Sequence, residues 1–486
     1  MAWDGPYVHQ FDAETADLLR AIFDFTGVRL GFDPVPLDGP ATPAELSARA
    51  GRTITEDGIG GLRALATFDE VLSRACISAD HPRNLAFIPA APTRLSVLFD
   101  VVVGASSIYA GSWMEGAGAV HAENETLRWL ADLAGLPATA GGVFVPGGTV
   151  GNLSALVAAR QAARARLAAE GRPMPARWRF VCGAEAHSSL YQAAMVLDAD
   201  IVAVPTGEEG RLTGPLLAAA LDDLAGRSDL AGRGDLVGHR DSATPSDGPV
   251  HDGVFAVVAT AGTTQFGIVD DLRGVVDVCR DRGLWVHADG AYGLAALAAP
   301  SARPLFDGIA DVDSFIVDPH KWLFAPFDAC ALIYRDPALA RAAHGPQRAG
   351  YLDVLDSAVN WNPSDYAIGL SRRARGLPLW FSLAAHGTRA YAEAIETTLA
   401  TTRAAAAQIA ARPELELVRP AELSVVVFRR LGWQDADYHR WSENLLREGF
   451  AFVPPTRHDG ETVARFAVVN PRTTPADIEA ILNTMV

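Results

Sequence analysis

Two patterns of apolar residues divide the chain. Near the N-terminus apolar residues recur at helical spacing over residues 11–26, as Leu18, Leu19, Ile22 and Phe23 illustrate. From about residue 96, short apolar runs alternate with helical segments. The runs that we predict as strands cover residues 180–182, 201–204, 254–260, 284–287, 314–317 and 329–334. Strands that alternate with helices predict an α/β fold with a mostly parallel sheet covered on both faces.

The C-terminal part has a different pattern, which predicts a small α+β domain. Its predicted strands cover residues 423–429, 450–454 and 463–469, and its predicted helices cover 435–448 and 474–484, with Thr474 as N-cap. We therefore predict three parts: a helical N-terminal segment at 1–95, a large α/β domain at 96–385 and the small domain at 386–486. Residues 227–253 are rich in Gly, Asp, Ser and Pro and predict an exposed loop within the large domain.

Charge and cysteine content narrow the class of protein. The formal net charge of −17 argues against a nucleic-acid or anionic-membrane partner. No leader or membrane-length apolar run is evident, and Cys76, Cys182, Cys279 and Cys330 form no CxxC pair. We expect a cytoplasmic protein with buried free thiols, and the pattern nominates no metal ligand.

Lysine usage points to one residue. Of the 41 Lys and Arg residues, 40 are Arg and the only lysine is Lys321. Arginine cannot form an imine, so a position that keeps lysine in such a chain is expected to need its amine. Lys321 lies just after the predicted strand 314–317, where burial should lower its pKa and favour Schiff-base chemistry with an aldehyde cofactor. The alternative is a lysine that extends to the surface.

Four further motifs follow predicted strands or open a helix. Asp289 follows a predicted strand and lies 32 residues before Lys321, and its carboxylate could pair with a protonated pyridine nitrogen or simply cap a turn. Gly148 and Thr149 precede a long helix whose first amides could bind phosphate. His187 and Thr264 follow two other predicted strands, where the imidazole could stack on a pyridine ring and the hydroxyl could contact the cofactor; the alternatives are a structural histidine and a simple turn. The carboxyl ends of parallel strands meet in one crevice, so we expect these residues to lie together.

In this order and spacing, the motifs resemble the group II amino-acid decarboxylases, which are fold-type I pyridoxal 5′-phosphate (PLP) enzymes. The resemblance runs from about His81 to the C-terminus. It rests on the combination of His320-Lys321-Trp322, the stretch from His287 to Tyr292 and the Gly262-Thr263-Thr264 turn. It implies an aromatic-L-amino-acid decarboxylase-like enzyme that converts an L-amino acid to its amine and CO2.

The resemblance also implies roles for individual residues. Lys321 would form the Schiff base with PLP, Asp289 would pair with the pyridine nitrogen, Ala291 would pack on the ring and His187 would stack on its other face. The remaining implied cofactor contacts are Gly148, Thr149, Thr264, Ser314 and His320. Tyr351, in a loop that the family donates across a homodimer, would protonate the substrate carbon after CO2 leaves.

The substrate is less constrained. His81, Phe87 and Trp113 resemble the aromatic-substrate branch, which favours a bulky or aromatic side chain. Other PLP outcomes stay open, namely an aldehyde synthase, an aminotransferase or a carbon–carbon lyase. Tyr351 argues against the aldehyde-forming branch, because members with phenylalanine there tend toward oxidative deamination. A non-catalytic scaffold is the third possibility.

Overall fold

A computed structural model describes residues 7–9, 11–89, 91–231, 253–345 and 360–485. These residues form two compact units. The large unit comprises Ala90–Ala406 and Arg419–Val426, and the small unit comprises Met1–Pro89, Ala407–Val418 and Val427–Val486, as far as each is described. Within the described ranges, none of the helices combines the length and the apolar character that crossing a bilayer requires.

A seven-stranded sheet forms the core of the large unit. Its strands are β1 (Gly141–Val145), β2 (Trp178–Gly183), β3 (Ala199–Val204), β4 (Val254–Thr260), β5 (Trp285–Asp289), β6 (Ser314–Val317) and β7 (Cys330–Tyr334). They are ordered β1-β7-β6-β5-β4-β2-β3 across the sheet. Only β7 runs against its neighbours, β1 and β6, and the remaining pairs are parallel. The predicted α/β class is confirmed, and the sequence did not reveal β1.

The helices of the large unit account for the burial of the strands β4 to β7. They are α4 (Arg94–Ser106), α5 (Trp113–Leu133), α6 (Gly148–Ala169), α7 (Ser189–Leu197), α8 (Gly214–Ala231), α9 (Leu272–Arg282), α10 (Pro337–His344), α11 (Leu377–His386) and α12 (Thr388–Ala410), which ends beyond it. All residues of β4, β5, β6 and β7 are buried, as expected of strands covered on both faces. Helix α8 continues to Ala231, into the stretch that we predicted as a loop, and residues 232–252 lie outside the described part.

The small unit joins the two ends of the chain. Its helices are α1 (Ala13–Gly31), α2 (Pro43–Ala50), α3 (Gly61–Thr67), α13 (Asp435–Arg447) and α14 (Pro475–Leu482). Its strands are β8 (Leu415–Leu417), β9 (Val425–Arg430), whose first two residues belong to the large unit, β10 (Thr456–His458) and β11 (Glu461–Ala467). The amide of Leu85 donates to the carbonyl of Phe452 at 3.0 Å, and Arg83 pairs with Asp477 at 2.8 Å. The segment around residues 81–87 is therefore held by the C-terminal residues.

Two details of the C-terminal prediction differ in the structure. Residues 450–454 make only an isolated bridge through Phe452 to Asn84, and the chain pairs instead at Thr456–His458. The final helix begins at Pro475 and is capped by Thr474, whose hydroxyl accepts from the amide of Asp477 at 3.2 Å while the Asp477 carboxylate accepts from the amide of Thr474 at 3.0 Å.

Candidate active site

The ends of five strands of the large unit surround one cavity of about 310 Å³. Thr260 and Asp289 are the last residues of β4 and β5, and Asp318 directly follows β6. The loop after β1 and the loop after β2 supply Gly148 and His187. Since β1, β2, β4, β5 and β6 point the same way, their carboxyl ends share one edge of the sheet, which is where ligands bind in such folds.

The lysine that composition singled out lies in this cavity. Lys321 Nζ is 3.0 Å from Asp318 Oδ2, and about a quarter of the lysine side chain is exposed. Burial alone opposes the ammonium charge, but the Asp318 carboxylate, with Asp289 beyond it, outweighs burial and raises the Lys321 pKa. The expected lowering of the pKa was therefore wrong, because the prediction considered desolvation without a buried carboxylate three residues away.

The start of α6 provides an anion cradle. The first helical bonds are donated by Val150 and Gly151 to the carbonyl of Gly147, so the amides of Gly148 and Thr149 lie outside the helical ladder. A Cβ on Gly148 would lie 3.2 Å from Asp318 Oδ2 and 3.3 Å from the Ala291 Cβ. This close approach explains a glycine here, and the exposed amides at a helix N-terminus suit a phosphate group.

Asp289 is held from two sides at the end of β5. Its Oδ1 accepts from the amide of Ala291 at 3.2 Å, and its Oδ2 accepts from Asn152 Nδ2 at 2.9 Å. The side chain is buried and lines the cavity. A carboxylate fixed in this way can pair with a cationic ring nitrogen at the cavity wall.

Two histidines border the same cavity. The exposed His187 accepts from the Ser189 amide through Nδ1 at 3.2 Å. His320 is buried, its Nδ1 lies 2.7 Å from the carbonyl oxygen of Ala329, and its ring contacts Phe327 at 5.0 Å between centroids. Burial lowers the pKa of His320.

Two buried polar atoms on the cavity wall have no hydrogen-bond partner among the described residues: Thr260 Oγ1 and Asp318 Oδ1. Unpaired buried polar atoms are uncommon in folded proteins, and at a cavity wall they indicate a ligand surface. Neither residue was singled out from the sequence, although both directly end or follow a predicted strand, which is the signal that could have found them.

The structure brings most of the predicted cofactor contacts together and leaves others elsewhere. Those that line the cavity are Lys321, Asp289, Ala291, His187, Gly148, Thr149, Thr264 and His320. Ser314 is fully buried, and its hydroxyl contacts Trp285 and His287 instead. Trp113 begins α5, where its amide donates to Asn362 Oδ1 at 2.9 Å, and it is not a lining residue.

The other predicted substrate residues belong to the small unit. His81 is buried, its Nδ1 accepts from the Arg83 amide at 3.0 Å, and burial lowers its pKa. Phe87 is exposed and contacts Phe452 edge-on at 6.1 Å between ring centroids. Tyr351 lies outside the described residues.

Comparison with known proteins identifies the family of this site. Residues 62–228 and 250–431 match the pyridoxal-dependent decarboxylase conserved domain. The chain belongs to the pyridoxal-dependent decarboxylase family. It is 30% identical over 443 residues to an aromatic-L-amino-acid decarboxylase of Bacillus atrophaeus, covering 88% of this chain and 86% of that protein. It is 29% identical over 446 residues to an L-2,4-diaminobutyrate decarboxylase of Rhizobium meliloti (strain 1021), covering 89% and 83%.

The fold agrees with solved members. The crystal structure of Oryza sativa TDC with PLP and tryptamine superposes with a TM-score of 0.84 at 24% identity, covering 98% of this chain and 99% of that one. This decarboxylase is therefore a fold-type I enzyme, as predicted, and PLP is its cofactor. The cavity fits that group, because it combines a primary amine, an anion cradle, a buried carboxylate and unpaired polar atoms on one wall.

Proposed function

We propose that the enzyme removes CO2 from an L-amino acid with an aromatic or otherwise bulky side chain and releases the amine. The observation that carries the proposal is the single lysine of the chain, held 3.0 Å from a buried carboxylate in a cavity at the strand ends. When bound, PLP supplies an aldehyde that condenses with amines and a ring that accepts the electron pair left by CO2.

The chain's own residues would hold and polarise that group. Lys321 would provide the amine that attaches the cofactor, and the amides of Gly148 and Thr149 would bind its phosphate. Asp289 would keep the ring nitrogen protonated, since its carboxylate is fixed by Ala291 and Asn152. His187 would cover the ring and orient the substrate carboxylate, and Ala291 leaves space for the ring.

Two further residues that line the cavity, and one that lies outside it, are also proposed to support the cofactor. Thr264 and His320 line the cavity and would contact the cofactor's edge and phosphate side. Ser314 would act from below, because its hydroxyl contacts His287, two residues before Asp289 on the same strand.

The composition of the cavity supports an uncharged substrate side chain. Phe327 and Tyr292 line it, and none of its described lining residues is an arginine that would pair with an acidic substrate. Asp328 also lines it, but Arg375 pairs with that carboxylate at 2.6 Å and offsets its charge. Phe87, His81 and Trp113 are further candidates for substrate contact, on the strength of the resemblance.

A substrate panel tests this proposal. Purified enzyme with PLP is given L-tryptophan, L-tyrosine, L-2,4-diaminobutyrate and L-glutamate, and CO2, amine and hydrogen peroxide are measured for each. We expect CO2 and amine in equal amounts, with the highest kcat/KM for an aromatic substrate. A preference for diaminobutyrate would reject the side-chain assignment, and peroxide with aldehyde would reject the reaction.

We also propose that Tyr351 delivers the proton that completes the amine and that it acts in a homodimer across the subunit boundary. In the presence of O2, a Tyr351→Phe variant should shift the product from amine toward aldehyde, ammonia and hydrogen peroxide while PLP stays bound. A mixture of Tyr351→Phe and Lys321→Ala proteins, each deficient in amine formation by itself, should regain amine formation if the loop crosses between subunits. Failure to regain activity after confirmed mixing of subunits would contradict the shared site.

A further inference from the structure

A continuous chain of hydrogen bonds runs beneath the cavity and ends at His187. It is defined by contacts of Trp285 Nε1 with Ser314 Oγ at 2.9 Å, Ser314 Oγ with His287 Nδ1 at 2.8 Å, and His287 Nε2 with Asn152 Oδ1 at 2.9 Å. It continues from Asn152 Nδ2 to Ser189 Oγ at 3.0 Å and to Asp289 Oδ2 at 2.9 Å, and from Ser189 Oγ to His187 Nδ1 at 2.9 Å.

The secondary structure explains why these side chains meet. Trp285, His287 and Asp289 alternate along β5 and therefore share one face of the strand. Ser314 is the register partner of His287 on β6. The first turn of α6 brings Asn152 against this face, where its exposed fraction is 1%.

The groups at the two ends of this series of hydrogen bonds decide which atoms donate and which accept. The indole of Trp285 is a donor only, and an ionised Asp289 carboxylate is an acceptor only. Asn152 must therefore turn its NH2 group toward Asp289, because the flipped amide would place one acceptor against another at 2.9 Å. The amide oxygen of Asn152 then faces His287 Nε2, so that nitrogen must carry a proton.

The middle of this series of hydrogen bonds agrees with these donor and acceptor assignments. Burial lowers the pKa of His287 to about 4, so its ring is neutral and has one donor and one acceptor nitrogen. With Nε2 as the donor, Nδ1 accepts from the Ser314 hydroxyl. That hydroxyl in turn accepts from the indole of Trp285, so all of its neighbours are satisfied in one orientation.

The same direction fixes the ring of His187. The second hydrogen of the Asn152 amide goes to Ser189 Oγ, which leaves the Ser189 hydroxyl to donate to His187 Nδ1. The backbone amide of Ser189 also donates to that nitrogen at 3.2 Å. His187 Nδ1 is therefore an acceptor, and the ring proton sits on Nε2.

We propose that Asn152 is a positioning residue, whose one amide holds the Asp289 carboxylate and, through the Ser189 hydroxyl, reinforces the His187 tautomer that the Ser189 backbone amide also favours. The inference rests on the proposed function, because Asp289 and His187, which Asn152 contacts directly and through Ser189, are proposed there as partners of the cofactor ring. It gives His187 a ring N–H donor for an anionic oxygen, such as a substrate carboxylate.

The tautomers are the most direct test. In PLP-loaded enzyme labelled with ¹⁵N-histidine, nitrogen chemical shifts are assigned with His187→Gln and His287→Gln variants. Both rings should show a protonated Nε2 and an unprotonated Nδ1. A proton on Nδ1 of either ring would overturn the proposal, whether or not any Asn152 variant folds.

Two substitutions at Asn152 separate positioning from structural support. Asn152→Asp keeps an oxygen acceptor for His287 but replaces both N–H donors with a second carboxyl group against Asp289, so His287 should keep its tautomer while the Kd for PLP rises about tenfold or more. Asn152→Leu loses the contacts to His287, Asp289 and Ser189, and it should change both the His287 tautomer and the Kd for PLP. Ser154→Ala is the control, because Ser154 is a buried residue of α6 whose hydroxyl accepts from Ile368 instead.

The outcomes distinguish this inference from the proposed function. Asn152→Asp protein that binds PLP as tightly as Ser154→Ala protein would overturn the positioning role. Asn152→Asp protein that lost both its PLP affinity and the Nε2-protonated form of His287 would also overturn the positioning role, since it would indicate general collapse of the site. Wild-type enzyme that released no CO2 from any amino acid would contradict the proposed function, and the histidine tautomers would still judge the role of Asn152.

Discussion

Helices α1 and α6 are similar in length and differ completely in burial. The 22 residues of α6 include eight that are buried, and its first turn reaches the floor of the active site. None of the 19 residues of α1 is buried, and Leu19, Ile22, Phe23 and Val28 are all exposed. Helical spacing is present in both sequences, so periodicity predicts a helix but does not say whether its apolar face is covered in one chain.

The contrast also separates two uses of side chains. Around α6, polar groups are buried, and partners fix the orientation of each, as Asn152 and Asp289 show. Around α1, apolar groups face solvent in the single chain, although burial of such groups is the main source of association energy. The first arrangement is that of a pre-organised site, and the second leaves an apolar face that a second copy would cover in the proposed homodimer.

The largest expected effect comes from the buried side of this comparison. Asp289→Asn should lower kcat/KM by about a hundredfold or more, because the charge that we propose keeps the cofactor ring cationic is lost. Steady-state assays of CO2 release measure it, and Asp277→Asn, on the exposed surface of α9, is the control. An Asp289→Asn enzyme within a few-fold of wild type would exclude the proposed role.

Charged substitutions on the exposed apolar face of α1 test the other side of the comparison. Ile22→Glu combined with Phe23→Glu should convert a dimer to monomers, measured by light scattering after size-exclusion chromatography. Arg20→Glu on the same helix changes the net charge by the same amount without touching the apolar face. Dimers that persist in the double variant, or a monomeric wild type, would contradict the expectation that a second copy covers this face of α1.

A smaller effect is expected from substitution of Asp318, the carboxylate that pairs with Lys321. The Asp318 carboxylate raises the Lys321 pKa, so the neutral amine that captures an aldehyde appears only as pH rises. Asp318→Asn should therefore move the midpoint of the pH dependence of PLP association to lower pH, measured by absorbance in stopped flow. Asp328→Asn should leave it in place, because Asp328 pairs with Arg375. A midpoint that stays or rises in Asp318→Asn would refute the pairing.

Thiol reactivity gives the smallest expected effect and tests the same difference between buried and exposed residues. Cys182, Cys279 and Cys330 are buried in the large unit, and burial raises their pKa values, to about 12 for the first two. Cys76 is exposed in the small unit, so our expectation that all four thiols are buried was wrong there. A thiol reagent should modify one cysteine per native chain and none in Cys76→Ser; several prompt reactions would indicate a looser core.

Much of the site could be predicted because strand ends carry a local signal. Lys321, Asp289 and His187 follow apolar runs, and parallel strands bring such positions together. Asn152 was beyond sequence reasoning, since its role depends on which face of α6 meets β5. The raised pKa of Lys321 was missed for a similar reason: the effect of Asp318 depends on a 3.0 Å contact after the strand, which spacing alone does not fix.

Borohydride reduction of the PLP-loaded enzyme tests the central claim most directly. Reduction fixes the cofactor to the amine that holds it, and peptide mass spectrometry then locates the added mass. The chain offers no second lysine, so the adduct should fall on the peptide that contains Lys321, and Lys321→Arg should yield no adduct there or elsewhere. An adduct on another peptide, or an unchanged yield in Lys321→Arg, would contradict the account.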